Sequence, residues 1–378
     1  MEPELIELLR ELVRINSVNP ELPGGVVELE IMDYIRRYFA SVGLYTFRQP
    51  VAKGRENVVA VIPGRDRSRP LLLNAHVDTV GVELMPEPFT LRREGDRLYG
   101  RGAYDMKGSA AVMMLLGKQF SKATPAMDLI LTFVADEEVG SIGMEHLVSG
   151  FLPELSSQPA GGIFMEPTEG QIGIAHKGIE TFELVVHGAA AHGSRPEQGV
   201  DAIIPMATAL NAIETIQKEL DGKPAHPLLG RANIHTGTIS GGSALNVIPA
   251  ECRLTWERRT LPGERREDVL NEFSRIKKAV EALPGKHTVS GGELYLRPAY
   301  EIPEKAAVVK RLKALSPDAE TTGLSFWADA AIGNAAGIPS VLYGPAGHGA
   351  HAVDEWVSLG SLITIYHVLE RFAAEGWN

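Results

Sequence analysis

The chain has 378 residues, a formal net charge of −11 and a single cysteine, Cys252. The length exceeds one ordinary compact core, so two domains are expected. The acidic balance argues against a nucleic-acid partner, which calls for basic clusters. One cysteine excludes an intramolecular disulfide and fits a reducing compartment. The opening MEPELIELLRELVRINSVNP is acidic and repeatedly charged, unlike the basic start and apolar run of a signal peptide. No stretch approaches the ~20 apolar residues that span a bilayer. A soluble cytoplasmic protein, with no membrane partner, is the expectation.

Leu5, Leu8, Leu9, Leu12 and Val13 fall at helical spacing, and Asn16, Asn19 and Pro20 end that helix. A second helix is predicted over Val26–Val42, with Gly43 as its C-terminal cap. Short apolar runs follow at 57–62, 71–75, 129–135 and 162–165 and read as buried strands. Between them, Gly108 and Ser109 lead into a helix whose apolar part is 110–116. Alternation of strand and helix argues for an α/β sheet with helices on its faces.

From about Gly178 the pattern changes. A strand at 181–186 is followed by a helix at 202–220 and strands at 232–238 and 251–257. A charged helix at 264–283 and a strand at 293–297 complete the series. This β-α-β-β-α-β order describes a ferredoxin-like α+β domain. The first texture returns near Pro303, with helices at 328–336 and up to Ala374 around a strand at 340–343. The expected architecture is therefore an α/β domain over 1–177 and 295–378, interrupted by an α+β domain over 178–294.

Five polar groups stand at the ends of predicted strands or at the mouth of a helix. In LLLNAHVDTV, His76 and Asp78 lie two apart after an apolar strand and face the same side. In GRGAYDMKG, Asp105 precedes a helix. In LTFVADEEVGSIG, the carboxylates Asp136, Glu137 and Glu138 close a buried strand. IFMEPTEG places Glu166 at another strand end, and GPAGHGAHAVDEWV places His351 beyond the last one. Taken singly, each has an ordinary explanation: a loop histidine, a helix-capping aspartate, a solvated acidic turn. Together, two histidines and three carboxylates at the carboxyl edge of one sheet suit two zinc ions better than calcium or magnesium.

These motifs, in this order, resemble the dinuclear zinc family of acetylornithine deacetylase, succinyl-diaminopimelate desuccinylase, aminoacylase and glutamate carboxypeptidase, over nearly the whole chain. The resemblance implies a zinc-exopeptidase-like catalytic domain with an inserted dimerisation lid, hence a homodimer. It implies that Asp105 bridges two divalent ions, zinc first with cobalt or manganese as alternatives. His76 and Glu166 would hold one ion, Glu138 and His351 the other. Glu137 would be the general base, and Asp78 would orient His76. From the lid, His192 would reach the neighbouring subunit's site. Asn246 and Arg259 would contact the substrate carboxylate, the RxxP spacing to Pro262 selecting Arg259 with the adjacent Arg258 as the alternative; if Arg258 points to solvent from the opposite strand face, its loss should matter little. Glutamate rather than aspartate at 166 leans away from the family's tripeptidases. The implied activity is hydrolysis of the amide of an N-acyl amino acid, as in the acetylornithine-deacetylase branch. The alternatives are a carboxypeptidase or dipeptidase acting on a short peptide, and a non-catalytic amino-acid-binding module, against which an intact Glu137 argues.

Overall fold

The computed structural model describes residues 1–377. The chain divides into two compact units. The first comprises Met1–Ile174, Ile302–Thr322 and residues 328–377; the second comprises Ala175–Glu301 with a short return, Gly323–Trp327. That return is a piece of chain that the sequence pattern leaves with the first domain.

The first unit is built on a mixed sheet. Its strand order is Thr46–Ala52, Arg55–Ile62, Met127–Val134, Asp66–His76, Gly161–Phe164, Ser340–Leu342 and the beginning of Ile172–His176. The central strands are buried along their length, as their unbroken apolar runs require. Four of them run parallel. His76 lies opposite Val134, Asn74 opposite Phe164, and Leu342 opposite Phe164. These strands therefore end at one edge, and each is followed within ten residues by one of the polar motifs.

Helix Gly108–Phe120 is buried on almost every side. It packs against Glu2–Arg14, Leu29–Ser41 and Leu359–Glu375. Gly117 permits this approach, because a Cβ there would lie 2.5 Å from the Phe39 ring. Helix Leu29–Ser41 begins three residues later than its periodicity predicts, and Gly43 follows it at φ 82°. A small antiparallel sheet, ordered Gly347–His348, Trp356–Ser358, Arg97–Tyr99 and Arg92–Glu94, is not visible in the sequence. Its strands have two or three residues each, too few to show a period of two.

The second unit is a four-stranded antiparallel sheet, ordered Asn233–Gly241, Glu251–Thr260, Gly178–His187 and Thr288–Arg297. Helices Ile203–Asp221 and Arg266–Glu281 supply its core together with Phe182, Leu184, Val186, Cys252, Leu254 and Trp256. Phe182, Trp256 and Phe273 stack with ring centroids 5.3–5.8 Å apart. The chain is thus α/β with a ferredoxin-like α+β unit inserted in its sequence, the class that the element order predicts. Among the described residues no helix is long and apolar enough to cross a membrane.

Candidate metal centre

His76 ends its strand and is 1% exposed. Its Nδ1 lies 3.0 Å from the backbone carbonyl of Asp78, which leaves Nε2 directed at Asp105 Oδ1, also at 3.0 Å. The Asp78 carboxylate is 3.6 Å from Nδ1, beyond hydrogen-bond range. That carboxylate instead accepts from the backbone N–H groups of Glu137 and Glu138, both at 3.1 Å, and from Asn19 Nδ2 at 2.8 Å. Asp78 therefore orients His76 through its main chain, while its side chain fixes the two glutamates.

The three consecutive acids at 136–138 go three ways. Asp136 adopts a left-handed φ of 75°, an uncommon state for a side chain other than glycine. Its carboxylate turns inward to Arg55 at 2.8 Å and Asn19 at 2.9 Å. Glu138 meets His351 Nε2 at 3.0 Å. The Glu137 carboxylate has no hydrogen-bond or ion-pair partner among the described residues. Burial, then the charge of Glu166, raises the pKa of its carboxyl well above the ordinary range.

Asp105 lies in the irregular turn before helix Gly108–Phe120. Its two oxygens face two imidazoles: Oδ1 faces His76, and Oδ2 lies 3.3 Å from His351 Nε2. Burial opposes ionisation of Asp105, but hydrogen bonds from His351 and His76 outweigh it and lower its pKa. Glu166 follows strand Gly161–Phe164 and approaches His76 Nε2 at 3.8 Å. Its carbonyl explains Gly344, where a Cβ would sit 2.2 Å from that oxygen. His351 occupies a hairpin tip, 53% exposed, at φ 66°.

Two overlapping groups result: His76, Asp105 and Glu166; and Asp105, Glu138 and His351. In each, the potential ligand atoms lie within 4.8 Å of one another. Asp105 belongs to both, and Glu137 to neither. Hydrogen bonds to Asp105 and Glu138 raise the pKa of His351 to about 10, and burial pushes the Glu138 carboxyl up to about 7. Buried Glu138 Oε1 has no partner. The donor set is imidazole nitrogen and carboxylate oxygen, and it suits zinc. Three carboxylates facing two divalent cations leave one positive charge, so the residues fit a dinuclear centre.

Asn19 and Arg55 are supporting residues with no signature in the sequence. Arg55 is 7% exposed and is held by Glu28 as well as by Asp136, and Asn19 is fully buried. Asn19 reads as a helix-ending residue, and nothing in the sequence singles out Arg55.

In the second unit, the structure brings His192 and Asn246 together. His192 pairs with Val247 in a short bridge, and Gly193 N–H donates to Asn246 carbonyl at 2.8 Å. The backbone N–H of Ser194 donates to His192 Nδ1 at 3.2 Å, Ser194 Oγ lies 2.7 Å from the same nitrogen, and the His192 side chain is exposed. Arg259 is not with them. Register places Glu251 opposite His187 and Arg259 opposite Ile179. Roughly 25 Å of strand separates those ends at ~3.3 Å per residue. Arg259 is partly exposed and pairs with Glu257.

The expectation for Arg258 is corrected. Alternation along Glu251–Thr260 puts Cys252, Leu254, Trp256 and Arg258 on the helix-covered face. Arg258 is 1% exposed and is held by Glu264 at 2.7 Å and Glu272 at 2.9 Å. It is a core ion pair, not a solvent-facing charge.

The chain matches Peptidase family M20/M25/M40 over residues 72–375 and belongs to that family. A Schizosaccharomyces pombe peptidase M20 domain-containing protein is 34% identical over 254 residues, 66% of this chain and 58% of that protein. An Aspergillus fumigatus protein described as "Probable carboxypeptidase" is 32% identical over 292 residues, covering 70% and 64%. The chain thus spans less than two thirds of the length of these curated relatives. Among solved structures, a Staphylococcus aureus tripeptidase superposes with a TM-score of 0.80 at 23% identity, covering 99% of this chain and 98% of that one. An M20 metallo-carboxypeptidase from Sulfolobus solfataricus gives 0.78 at 18% identity, covering 98% of each. At these identities the likeness concerns the fold.

If Glu138 is a ligand and Glu137 is not, the two neighbours differ on substitution. Glu138→Ala is expected to hold one zinc ion fewer than the parent protein, and Glu137→Ala to hold as many. Elemental analysis after zinc loading and desalting measures this, and equal loss in both variants contradicts the assignment.

Proposed function

We propose that the protein is a metal-dependent amidohydrolase that cleaves the amide on the amino side of an amino acid with a free carboxylate. That bond is shared by N-acyl amino acids and by the C-terminal residue of a short peptide. The observation that carries the proposal is the unpartnered Glu137 carboxylate beside two ligand groups that share Asp105. A binding module would need the ligand groups but not that base.

Two divalent ions, zinc first, would be held by His76, Asp105 and Glu166 and by Asp105, Glu138 and His351. They would supply positive charge that polarises the scissile carbonyl and acidifies water. Glu137 takes the proton of the attacking water and returns it to the departing nitrogen. His192 donates a hydrogen bond to the oxyanion. Arg259 and Asn246 hold the substrate carboxylate. Relatives described as carboxypeptidases favour a peptide substrate, and resemblance of the 323–357 segment to the acetylornithine-deacetylase branch favours an N-acyl amino acid. A cytoplasmic setting is part of the proposal.

Arg259 lies near one end of strand Glu251–Thr260, and His192, on the short strand Ala191–His192 paired with Val247–Ile248, follows from its other end. For both to serve one small substrate, they must come from two copies, so a homodimer is part of the proposal. Strand Asn233–Gly241 is an exposed sheet edge that carries Ile239, and Ile203 and Ile204 are exposed at the start of the neighbouring helix. The strand edge is a ready-made pairing surface.

A panel of N-acyl amino acids, dipeptides and longer peptides, each with a free or amidated carboxylate and with zinc, cobalt or manganese, separates the substrate readings. Arg259→Ala should raise KM for free-carboxylate substrates roughly 10- to 200-fold, from the ~1.5–3 kcal/mol of a charge-assisted pair, and change amidated ones little. Equal effects on both would make Arg259 structural.

Mixing His192→Ala with Glu137→Ala protein tests the shared site. Each variant alone is expected to be inactive, and the mixed dimer to regain one working site. Activity that stays at the single-variant level shows that His192 does not act on a neighbouring copy.

A further inference from the structure

His351 is the most exposed of the five candidate ligands, and it stands on a hairpin tip between Gly347–His348 and Trp356–Ser358. Few contacts hold that tip. Ala352 N–H donates to Gly349 carbonyl, and His348 and Asp354 face one another at 3.5 Å with both side chains more than half exposed. The base of the tip is different. Glu355 is fully buried, and both of its carboxylate oxygens are used. Oε1 accepts from the backbone N–H groups of Tyr104 at 2.9 Å and Asp105 at 3.1 Å. Oε2 accepts from the Gly102 N–H at 2.9 Å and from Arg101 Nη1 at 2.6 Å. Arg101 is itself 3% exposed, and its Nε donates to Gly81 carbonyl at 3.0 Å.

One side chain therefore gathers four donors from residues 101–105 and lies four residues beyond His351. Residues 102–105 have no regular helix or strand to supply these partners, and a buried N–H left unpaired costs about 1–3 kcal/mol. We propose that Glu355 is a positioning residue that locks the Asp105 turn to the His351 hairpin and so sets the affinity of the ion held by Asp105, Glu138 and His351. The inference rests on the dinuclear reading above. The effect is asymmetric: both groups use Asp105 and so feel its turn, but one also depends on the hairpin through His351, whereas the other's remaining ligands, His76 and Glu166, are 1% and 5% exposed at the ends of sheet strands. Glu355 touches neither ion nor substrate. It acts as the hydrogen-bonded support behind a ligand, whose loss typically weakens metal binding by roughly 10- to 100-fold.

The test is a zinc titration of metal-free protein in competition with a chromophoric chelator, comparing the parent protein with Glu355→Gln. Glutamine keeps the shape but loses one acceptor and the charge opposite Arg101. The parent should bind two ions. Glu355→Gln should bind the second ion roughly 10- to 100-fold more weakly and the first, which shares only Asp105 with the hairpin-held set, clearly less so. Because this substitution strands the buried Arg101, the double variant Arg101→Gln/Glu355→Gln is measured as well and should show the same asymmetric loss. Circular dichroism and thermal melting confirm that each variant is folded. Equal weakening of both ions, no weakening of either, or loss of the fold in both variants overturns the proposal. A parent protein that binds fewer than two ions overturns the dinuclear reading, and this proposal with it.

Discussion

The crowding of carboxylates at one edge of a buried sheet is the constraint on which the rest of the structure depends. Asp78, Asp105, Asp136, Glu137, Glu138, Glu166 and Asp329 all belong to this region of the first unit, and most are nearly or fully buried. Two like charges 4 Å apart repel by about 4 kcal/mol even at an effective dielectric of 20. A protein has four remedies. Asp136 takes a cation, Arg55. Asp78 takes backbone N–H groups and Asn19. Asp329 shifts its titration, its carboxyl being pushed up to about 8 by burial. The carboxylates of Asp105, Glu138 and Glu166 are left facing His76 and His351, an arrangement for which cation coordination would be the fourth remedy.

Topology makes this crowding achievable without distorting the core. Parallel strands deliver their following residues to the same edge. Each strand needs only one or two polar residues after an apolar run, so hydrophobic packing along the strands is undisturbed. Part of the local cost falls at that edge. Asp136 and His351 are both held at positive φ, where a residue with a Cβ is disfavoured. The hydrogen bonds around them hold that geometry. At Asp136, the N–H groups of Gly140 and Ser141 donate to its carbonyl while Arg55 and Asn19 hold its side chain.

Much of this was legible in the sequence because it is written in short-range patterns. Apolar runs marked the strands, and a lone histidine or acid after each run marked the edge. The helices at 5–13, 202–220 and 264–283 announced themselves by period. What escaped depends on contacts between distant segments. Asn19 reaches Asp78 and Asp136 across 59 and 117 residues. Glu355 reaches Arg101 across 254. Neither residue differs locally from an ordinary turn asparagine or loop glutamate. Arg258 escaped for a simpler reason: a charged residue at a buried position breaks the alternation by which a strand's inner face is recognised, although Trp256 and Leu254 before it fix the face.

The central claim is that two divalent ions share Asp105. Anomalous diffraction at the zinc absorption edge, from crystals of zinc-loaded protein, tests it most directly. The account predicts two peaks about 3.5–4 Å apart. Each should lie about 2 Å from an Asp105 oxygen, one also near His76 and Glu166, the other near Glu138 and His351, with Glu137 outside both ligand shells. A single peak, or a peak ligated by Glu137 in place of Glu138, would contradict it.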